Sequence, residues 1–564
     1  MKPFFPLLLL AALVTTSSAA LCYDDPVVIG DIEFSGRQES KKHECHKDID
    51  PLPWQTISRE QLFTYTNGHF LIDEDHQFSR RYRKFNLDAL CDIAARAGGS
   101  TCRITAIEKL EGRFSKALLM KREDGSELIA KVPCRIAGPA YLTTASEVGT
   151  LEYIKRYTTI PVPRLFSWSS DASNPVGAEY IVMEKATGVP LFGRWGEMAE
   201  IEEMELIKNL TQLEAQLAAI LFPAYGGLYL RADAEHFKHQ YIDGSVDEQQ
   251  LLCIGPSPER SFDVDDGSMY YGPSYRISGY QLPNENSRIG RQNPDNQSMA
   301  HRGSPQEQAR LLEIAVRVME LLDSHRILAQ FAQPTLWHTD LHMGNICVGP
   351  DNNSQITALI DVQSLSVLPL FLQARWPVFL QPPRDYTRGL VQPELPDDFN
   401  SLDKEDKAIA LHDSTQAKMA KAYEVSTFLE NRIAHNAMNV PRVFRELFIR
   451  TGEISDVGVV PLRECLIEIF KNWSDLGFSG NCPYSFSQEE IRAHEEQFAD
   501  YQEWNEAQQL AQESLDTDAE RWVAPQLDFA EKRRQNKGLL SMYIARMAGE
   551  KSPEEARQMW PFPG

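Results

Sequence analysis

Apolar positions in the first third of the chain change from helical to strand-like spacing. Residues 80–97 carry apolar side chains at helical intervals, and Gly98–Gly99 ends the run. From 102 to 133 the pattern becomes short β-prone runs, and Asp124–Gly125 between two of them predicts a hairpin. A helical run at 144–158 and two strand-like runs, IPVPRLFSWS and AEYIVMEKATG, follow. The pattern predicts a helix followed by a small mixed sheet.

After Gly188 the pattern becomes mainly helical. The clearest amphipathic stretches are 201–222, 307–331, 406–433 and 461–476. Together with the sheet they predict an α+β protein. Residues 255–305 interrupt this part with a run rich in Pro, Gly, Ser, Asn and Asp that also carries four tyrosines. So long a connection is usually either disordered or a functional lid. The composition slightly favours disorder, and the tyrosines weaken that preference.

Composition limits the classes of function. The chain has 564 residues, is 42% hydrophobic and carries a formal charge of -23. This size calls for more than one core, and the charge argues against nucleic acid as a partner, because phosphate backbones bind clustered Lys and Arg. A neutral or cationic partner is favoured. Nine cysteines without a CxxC pair indicate neither a disulfide framework nor a metal knuckle.

The N-terminus has the pattern of an export signal. One Lys, an apolar run over residues 4–14 and small residues up to Ala20 are typical of a secretory signal peptide. The apolar run is shorter than the roughly 20 residues of a membrane span, so no stable transmembrane segment is predicted. It also lacks the Arg-rich amphipathic face of a mitochondrial presequence.

Most of the candidate chemistry lies between Trp337 and Gln363. His338, Asp340 and Asn345 follow a helical stretch and precede the apolar run ICV, and Asp361 follows a second apolar run, ITALI. Two short strands joined by a turn would bring Asn345 close to Asp361. Phosphoryl transfer requires such a set: one carboxylate to orient the attacking hydroxyl, and a carboxylate with an amide oxygen to hold Mg²⁺. Singly, each residue would be an ordinary turn residue, but the joint pattern favours the chemistry.

These residues carry a resemblance to a known family. HTDLHMGN resembles the catalytic loop of the aminoglycoside phosphotransferase family, which has a protein-kinase-like fold, and ALIDVQ resembles its metal-binding segment. The resemblance implies Asp340 as the catalytic residue, Asn345 and Asp361 as Mg²⁺ ligands, and ATP as the phosphoryl donor. His338 would hold the loop through hydrogen bonds, and His342 would be a solvated loop residue.

The resemblance extends upstream of the catalytic loop. LIAKVPC resembles the third-strand lysine motif, which implies that Lys131 contacts the nucleotide phosphates with Glu147 as its ion-pair partner. AEYIVMEKATG resembles the interlobe hinge, and the backbone of Met183, Glu184 and Lys185 would lie along the adenine. In the nucleotide loop EGRFSKA, Ser115 would contact the nucleotide.

Within the family, residues 54–379 most resemble the fungal branch named for altered inheritance of mitochondria. This implies a protein-kinase-like two-lobed α+β fold, with a small mixed β-sheet N-lobe, a larger mostly helical C-lobe, and N-terminal and C-terminal helical extensions. It also implies a mitochondrial address, which conflicts with the secretory pattern. The expected divisions are 1–20 signal or targeting segment, 21–99 N-terminal extension with a helix, 100–187 N-lobe, 188–480 C-lobe with the insertion 255–305, and 481–564 C-terminal helical extension.

Three departures from the family leave alternative functions open. The nucleotide loop offers only Gly112, Val362 stands where the family favours an aromatic, and no activation segment of the protein-kinase type is visible. The leading hypothesis is an ATP- and Mg²⁺-dependent phosphotransferase acting on a hydroxyl of a small molecule, and the acidic charge would suit a cationic acceptor. The alternatives are a non-catalytic nucleotide-binding pseudokinase or scaffold with a mitochondrial role, and a protein kinase. Oligomeric state cannot be read from the sequence.

Overall fold

The computed structural model describes residues 28–29, 32–37, 54–99, 101–260 and 301–562. The predicted signal segment and most of the 255–305 insertion, with its tyrosines, lie outside these residues. The chain divides into two compact units. The first unit comprises Met1–Asn67, Phe78–Pro273 and Gln333–Met438, and the second comprises Gly68–Gln77, Ser274–Ala332 and Asn439–Gly564.

The strands are short and concentrate before residue 260. Their bounds are β1 (Val28–Ile29), β2 (Ile32–Arg37), β3 (Trp54–Thr56), β4 (His69–Phe70), β5 (Ile104–Glu111), β6 (Ser115–Arg122), β7 (Glu127–Pro133), β8 (Leu165–Ser169), β9 (Tyr180–Glu184), β10 (Val189–Pro190), β11 (Gly227–Leu230), β12 (Gln240–Tyr241), β13 (Leu252–Gly255), β14 (Pro334–Leu336), β15 (Ile346–Val348), β16 (Ile356–Leu359), β17 (Val367–Pro369) and β18 (Trp522–Val523).

The helices dominate the remainder of the described chain. Their bounds are α1 (Glu74–Arg81), α2 (Leu87–Arg96), α3 (Leu142–Tyr157), α4 (Glu200–Ala218), α5 (Pro305–Leu322), α6 (Leu370–Gln373), α7 (Lys404–Glu430), α8 (Arg432–Met438), α9 (Arg442–Gly452), α10 (Ile454–Val457), α11 (Val459–Lys471), α12 (Gln488–Leu515), α13 (Phe529–Met547) and α14 (Pro553–Met559). None of them combines the length and apolar character needed to cross a bilayer.

The main sheet of the first unit follows the predicted run of strands and extends beyond it. Its order is β1-β2-β5-β6-β7-β9-β8, with β3 paired to β2. The Asp124–Gly125 turn connects β6 to β7 as predicted, with Gly125 at a φ of 83°. Strand β2, from the predicted N-terminal extension, pairs in parallel with β5 and adds to the sheet.

One helix, α2, covers a face of this sheet. Its N-cap Asn86 accepts a hydrogen bond from the Ala89 amide, so the helix begins at Leu87 and not at residue 80 as the spacing suggested. The core between them buries Leu90 of the helix together with Ile107 and Val132 of the sheet. The packing of α2 against the sheet holds in place the strands that carry the candidate site.

The later part of the first unit is helical, with small sheets of which the sequence pattern predicted only the β15–β16 hairpin. They are β10-β15-β16, β11-β13-β12 and β14-β17, with strands of two to four residues. A second core joins them to α4, and Leu210, Leu228, Ile346 and Val367 are fully buried in it. The β15–β16 hairpin places Asn345 just before one strand and Asp361 just after the other, as expected.

The second unit is built mainly from α5 and α9–α14. Ser304 caps α5, which carries Pro at its first position, and α5 packs on α11. Ala511, Leu515, Leu540, Trp560 and Phe562 form a core near the C-terminus. Residues 481–564 contain α12–α14, and β18 pairs with β4.

A buried carboxyl lies between two helices of the first unit. Glu214 of α4 is 3% exposed, and its Oε2 accepts a hydrogen bond of 2.8 Å from the Tyr423 hydroxyl of α7. Its Oε1 is buried without a hydrogen-bond partner. Burial raises the pKa of the Glu214 carboxyl to about 8, although the Tyr423 hydrogen bond opposes the shift.

We expect Glu214 to make stability pH-dependent. Its folded pKa is raised above the unfolded value, so the folded chain binds more protons between the ordinary carboxyl value of 4.5 and about 8, and stability is lost as pH rises through this window. The slope from this group is about 1.4 kcal/mol per pH unit at its steepest. Urea unfolding at several pH values should show a flatter profile for Glu214→Gln. An unchanged slope would contradict the assignment, and Glu205→Gln, on the exposed side of the same helix, is the matched control.

Candidate active site

A cavity of about 540 Å³ opens in the first unit beside the main sheet. Its walls come from β5, β6 and β7, from α3, from the segment after β9, and from the β15–β16 hairpin. Lys131, Glu147, Asn345 and Asp361 line it, together with Ser115 and Met183–Lys185. The structure therefore gathers eight of the nine predicted site residues around one cavity; Asp340 lies in the loop that leads to Asn345.

Lys131 of β7 forms two ion pairs at the inner end of the cavity. Its Nζ lies 2.7 Å from Oε1 of Glu147 and 2.8 Å from Oδ1 of Asp361. Lys131 and Glu147 are 8% and 4% exposed, whereas the Asp361 side chain keeps 46% of its surface accessible. The lysine thus joins a buried carboxylate on α3 to an accessible one from the hairpin.

The Lys131 ammonium and the carboxylates of Glu147 and Asp361 shift one another's pKa values. Burial opposes the Lys131 charge, but the carboxylates of Asp361 and Glu147 outweigh it and raise the pKa of the ammonium. Burial would raise the pKa of Asp361 too, yet the Lys131 ammonium lowers it. For Glu147, burial dominates and raises the pKa even beside Lys131. The accessible carboxylate at the cavity is therefore held in its anionic form.

The loop before β15 positions Asp340 and Asn345. The Asn345 amide Nδ2 donates to the Asp340 carbonyl at 3.0 Å, and the Asn345 carbonyl accepts from the Ile360 amide at 3.0 Å. Asn345 is 5% exposed, but the Asp340 side chain is 64% exposed. Because Nδ2 is engaged within the loop, Oδ1 is the amide atom of Asn345 suited to bind a cation.

His338 has the structural position expected from the sequence. It is 4% exposed, and its Nε2 donates to the Ile360 carbonyl at 3.0 Å. Burial lowers the pKa of its imidazole, which favours the neutral ring. The bond ties the catalytic loop to the residue immediately before Asp361.

His342 is not the solvated residue that the sequence suggested. Its side chain is 18% exposed, its Nδ1 accepts from the Gly344 amide at 3.1 Å, and its Nε2 lies 3.9 Å from Oδ2 of Asp340. Arg375, which the sequence did not point to, donates from Nη2 to the Thr339 carbonyl at 2.6 Å. The surroundings of Asp340 are therefore more basic than the overall charge implies.

The backbone of Asp361 adopts an unusual conformation. Its φ is 59°, in the left-handed region that most side chains avoid and that Asp tolerates better than most. The next residue, Val362, is 1% exposed and belongs to the core beneath the cavity. A buried valine thus packs where the aminoglycoside phosphotransferase family favours an aromatic residue. The left-handed conformation of Asp361 places its carboxylate beside Lys131.

The predicted hinge leaves β9 and passes along the cavity wall. Lys185 pairs with Glu127 of β7 through an Nζ–Oε2 distance of 2.6 Å. Two residues later, the Thr187 carbonyl accepts a hydrogen bond of 2.7 Å from the Thr357 hydroxyl of β16. Gly188 has a φ of 93°, and a Cβ there would collide with Thr357 and with the Val348 carbonyl. The backbone of 183–188 is thus held on both sides of Ala186.

The glycine-poor loop between β5 and β6 is fixed by side chains. Ser115 is the first residue of β6 and not the loop tip, and its hydroxyl donates to Oε1 of Gln363 at 2.7 Å. The guanidinium of Arg260 stacks over the Phe114 ring at 3.6 Å from its centroid. The Arg113 carbonyl accepts from Nε of Arg81 at 3.2 Å. Contacts with three distant segments hold a loop that lacks a glycine-rich sequence.

The base of this loop carries a buried charge cluster that the sequence analysis missed. The Glu111 carboxylate forms ion pairs with Nζ of Lys116 at 2.6 Å and with Nζ of Lys109 at 2.9 Å. All three residues are at most 8% exposed. The cluster binds residues 61–67, so that Thr66 and Asn67 also line the cavity. In the sequence, Lys109, Glu111 and Lys116 look like solvated charges on strands. Because Thr66 lies 45 residues before Glu111, no local pattern reveals the contact between them.

Comparison with known proteins relates the whole chain to a fungal family. No protein-family model matches it. The subtelomeric hrmA-associated cluster protein of Aspergillus fumigatus is 30% identical over 500 residues, which cover 80% of this chain and 95% of that protein. The chain belongs to the family of this Aspergillus protein. Within the family's wider relatives, altered inheritance of mitochondria protein 9 of Yarrowia lipolytica, named as mitochondrial, is 22% identical over 497 residues, covering 80% of this chain and 82% of that protein.

The resemblance to altered inheritance of mitochondria protein 9 is thereby confirmed, and the described strands and helices confirm the α+β fold expected for the family. Among solved structures, the GDP and kanamycin complex of the aminoglycoside phosphotransferase APH(2″)-IIIa matches 74% of this chain and 99% of its own, at 13% identity and a TM-score of 0.34. In this chain the fold is recognisable from its own elements: antiparallel β5-β6-β7-β9-β8, α3 between β7 and β8, and the loop and hairpin that carry Asn345 and Asp361.

We expect Lys131→Met to destabilise the first unit. The substitution leaves the buried Glu147 carboxylate without its cation, which should lower the free energy of unfolding by about 3 kcal/mol. Adding Glu147→Gln should recover most of the loss, because the unpaired charge is then gone. Chemical denaturation of the single and double variants measures both effects. The control Lys155→Met, at an exposed site on α3, should change stability by less than about 0.5 kcal/mol. Equal losses in Lys131→Met and Lys155→Met would refute the ion pair between Lys131 and Glu147.

Proposed function

We propose that this chain is an ATP- and Mg²⁺-dependent phosphotransferase that acts on a hydroxyl group of a small molecule. The observation that carries the proposal is the Lys131 ammonium shared between Glu147 and the accessible carboxylate of Asp361 at one end of the cavity. A lysine on the third strand, paired with a helix carboxylate and facing a metal-binding Asp, is the arrangement that kinase-like enzymes use to hold the nucleotide phosphates.

The donor atoms around the cavity fit Mg²⁺ with a nucleotide. Asp361 offers an anionic carboxylate and Asn345 its amide Oδ1, and both are oxygen ligands of the kind that Mg²⁺ prefers. No cluster of three or more His, Cys, Asp or Glu occurs among the described residues, which agrees with a cation completed by phosphates and water. When bound there, Mg²⁺ would neutralise charge on the β and γ phosphates.

The residues of the chain have separate tasks in the proposed reaction. Asp340, whose side chain is 64% exposed, orients the acceptor hydroxyl and takes its proton as the new O–P bond forms. The bond between the γ-phosphorus and its bridging oxygen breaks, and ADP leaves. Lys131 holds the phosphates of ADP during this step, and the backbone of Met183–Lys185 holds the adenine. Ser115 borders the phosphate end of the cavity.

Charge near the site bears on the acceptor, and the name of a relative bears on the compartment. A cationic acceptor was favoured by the net charge and by the acidic run SFDVDDG, which lies outside the described residues. Arg375 beside the catalytic loop weighs against a strongly cationic group next to the reacting hydroxyl. A mitochondrial address is supported by the name of the Yarrowia lipolytica relative, and we favour it over secretion.

The alternative is a nucleotide-binding scaffold without catalysis. It is supported by the glycine-poor loop, whose Ser115 is bonded to Gln363 near the metal-binding segment. In such a protein the cavity would bind a nucleotide without a productive arrangement of Asp340. Binding and turnover therefore have to be measured separately.

We expect ATP with Mg²⁺ to raise the melting temperature of the pure protein, and Asp361→Ala to abolish the metal-dependent part of the shift. Asp340→Asn should keep the shift and lower phosphoryl transfer by about 100-fold or more, since it removes only the group that takes the proton. Transfer is measured with labelled ATP on a panel of amino alcohols, aminoglycosides and sugars, and on generic protein substrates for the protein-kinase alternative.

The control is Asp351→Asn in the exposed turn between β15 and β16, which should change neither quantity. A wild-type protein without any metal-dependent shift would refute the proposal. A shift without transfer to any acceptor would favour the scaffold.

A further inference from the structure

Thr66 and Asn67 belong to the predicted N-terminal extension, yet they border the same cavity as Lys131 and Asp361. Both are half-buried. The third-strand lysine, the hinge and the catalytic loop are accounted for by the family resemblance, but these two residues are not. They form a wall of the cavity that originates outside the β5–β6 hairpin.

The wall is held in place by an extensive set of contacts. Glu111 accepts from the Thr66 amide at 2.6 Å and from its hydroxyl at 3.1 Å, and the Glu111 carbonyl accepts from the Asn67 amide Nδ2 at 2.7 Å. Lys109 donates to the carbonyls of Gln61 and Thr64, each at 2.8 Å. A polar segment fixed this firmly is preorganised for binding, because its side chains lose little freedom when a ligand arrives.

The charge behind the wall is positive. Two lysines, Lys109 and Lys116, share the single carboxylate of Glu111, which leaves a surplus of one positive charge in a buried position. Burial lowers the pKa of Lys109 to about 8, so that it remains mostly protonated at neutral pH. Lys109 itself borders the cavity. Backbone carbonyls stabilise this charge, and an anion nearby would stabilise it further.

We propose that residues 64–67, with Lys109 behind them, form an anion-binding wall for the phosphate chain of the nucleotide and replace the function of a glycine-rich loop. The inference rests on the proposed nucleotide site and assigns a further binding segment to it. Asn67 supplies a polar group at the cavity surface, and Lys109 supplies the attraction for negative charge. The N-terminal extension is then part of the binding site.

A purely structural role for the segment predicts a different result. If residues 64–67 only brace the sheet, a change at Asn67 would affect every ligand of the cavity equally or none of them. If they recognise phosphates, the change would affect ATP and spare adenosine. Comparison of these two ligands separates the roles.

The experiment measures the affinity of the full chain for Mg²⁺-ATP and for adenosine by calorimetry. Asn67→Asp places a negative charge on the wall and should weaken ATP binding by about tenfold or more, while adenosine affinity changes by less than about twofold. Asn67→Ala, which adds no charge, should weaken ATP binding by a smaller factor of about threefold and serves if the first variant folds poorly. Asn436→Asp adds the same charge at an exposed position of α8 and should alter neither affinity.

Equal losses for ATP and adenosine, or no loss for ATP in either variant, would overturn the proposal. The proposed function is judged separately by the wild-type response to Mg²⁺-ATP and its loss in Asp361→Ala. A wild-type protein that binds ATP while both Asn67 variants bind it equally well would disprove the wall and leave the phosphotransferase standing.

Discussion

The first unit depends on one buried ammonium group. Lys131 comes from the sheet, Glu147 from the helix that packs against it, and Asp361 from the hairpin after the catalytic loop, and the Lys131 Nζ is within 2.8 Å of both carboxylates. Because Glu147 is desolvated, the lysine must stay paired with it, and the accessible carboxylate of Asp361 is held nearby as a result. The same contact therefore stabilises the fold and gathers the groups that a nucleotide and a divalent cation would need.

Around this contact, side-chain interactions hold the β5–β6 loop, which corresponds in position to the glycine-rich loop of kinase-like proteins. Lys109, Glu111 and Lys116 fix its base, Phe114 stacks against Arg260, and Ser115 at the start of β6 bonds to Gln363. A glycine-rich loop presents backbone amides to the phosphates and pays for its flexibility in conformational entropy. A loop fixed by charges and rings has less freedom to lose, but it presents fewer amides. The loop has only one glycine, Gly112, and side-chain contacts from the sheet and from distant segments hold it instead.

The sequence predicted the parts of the site that short motifs encode. The Asn345–Asp361 hairpin lies where the strand pattern placed it, because each strand is a local apolar run. Lys131 and Glu147 form the ion pair that the family resemblance implied. Contacts between distant segments could not be read in this way. Thr66 meets Glu111 across 45 positions, and Arg375 meets Thr339 across 36. The strands β11–β13 were missed because runs of two to four residues leave too short a pattern beside the helical stretches.

The tethers on the hinge determine where the cavity can change its width. Lys185 is tied to the sheet through Glu127, whereas Thr187 is tied to the hairpin through Thr357, and Gly188 lies too close to that hairpin for any side chain. Ala186 is the residue between these attachments. A change in the distance between the sheet and the hairpin would therefore have to be taken up by the backbone dihedral angles of residues 185–187, between the two attachments.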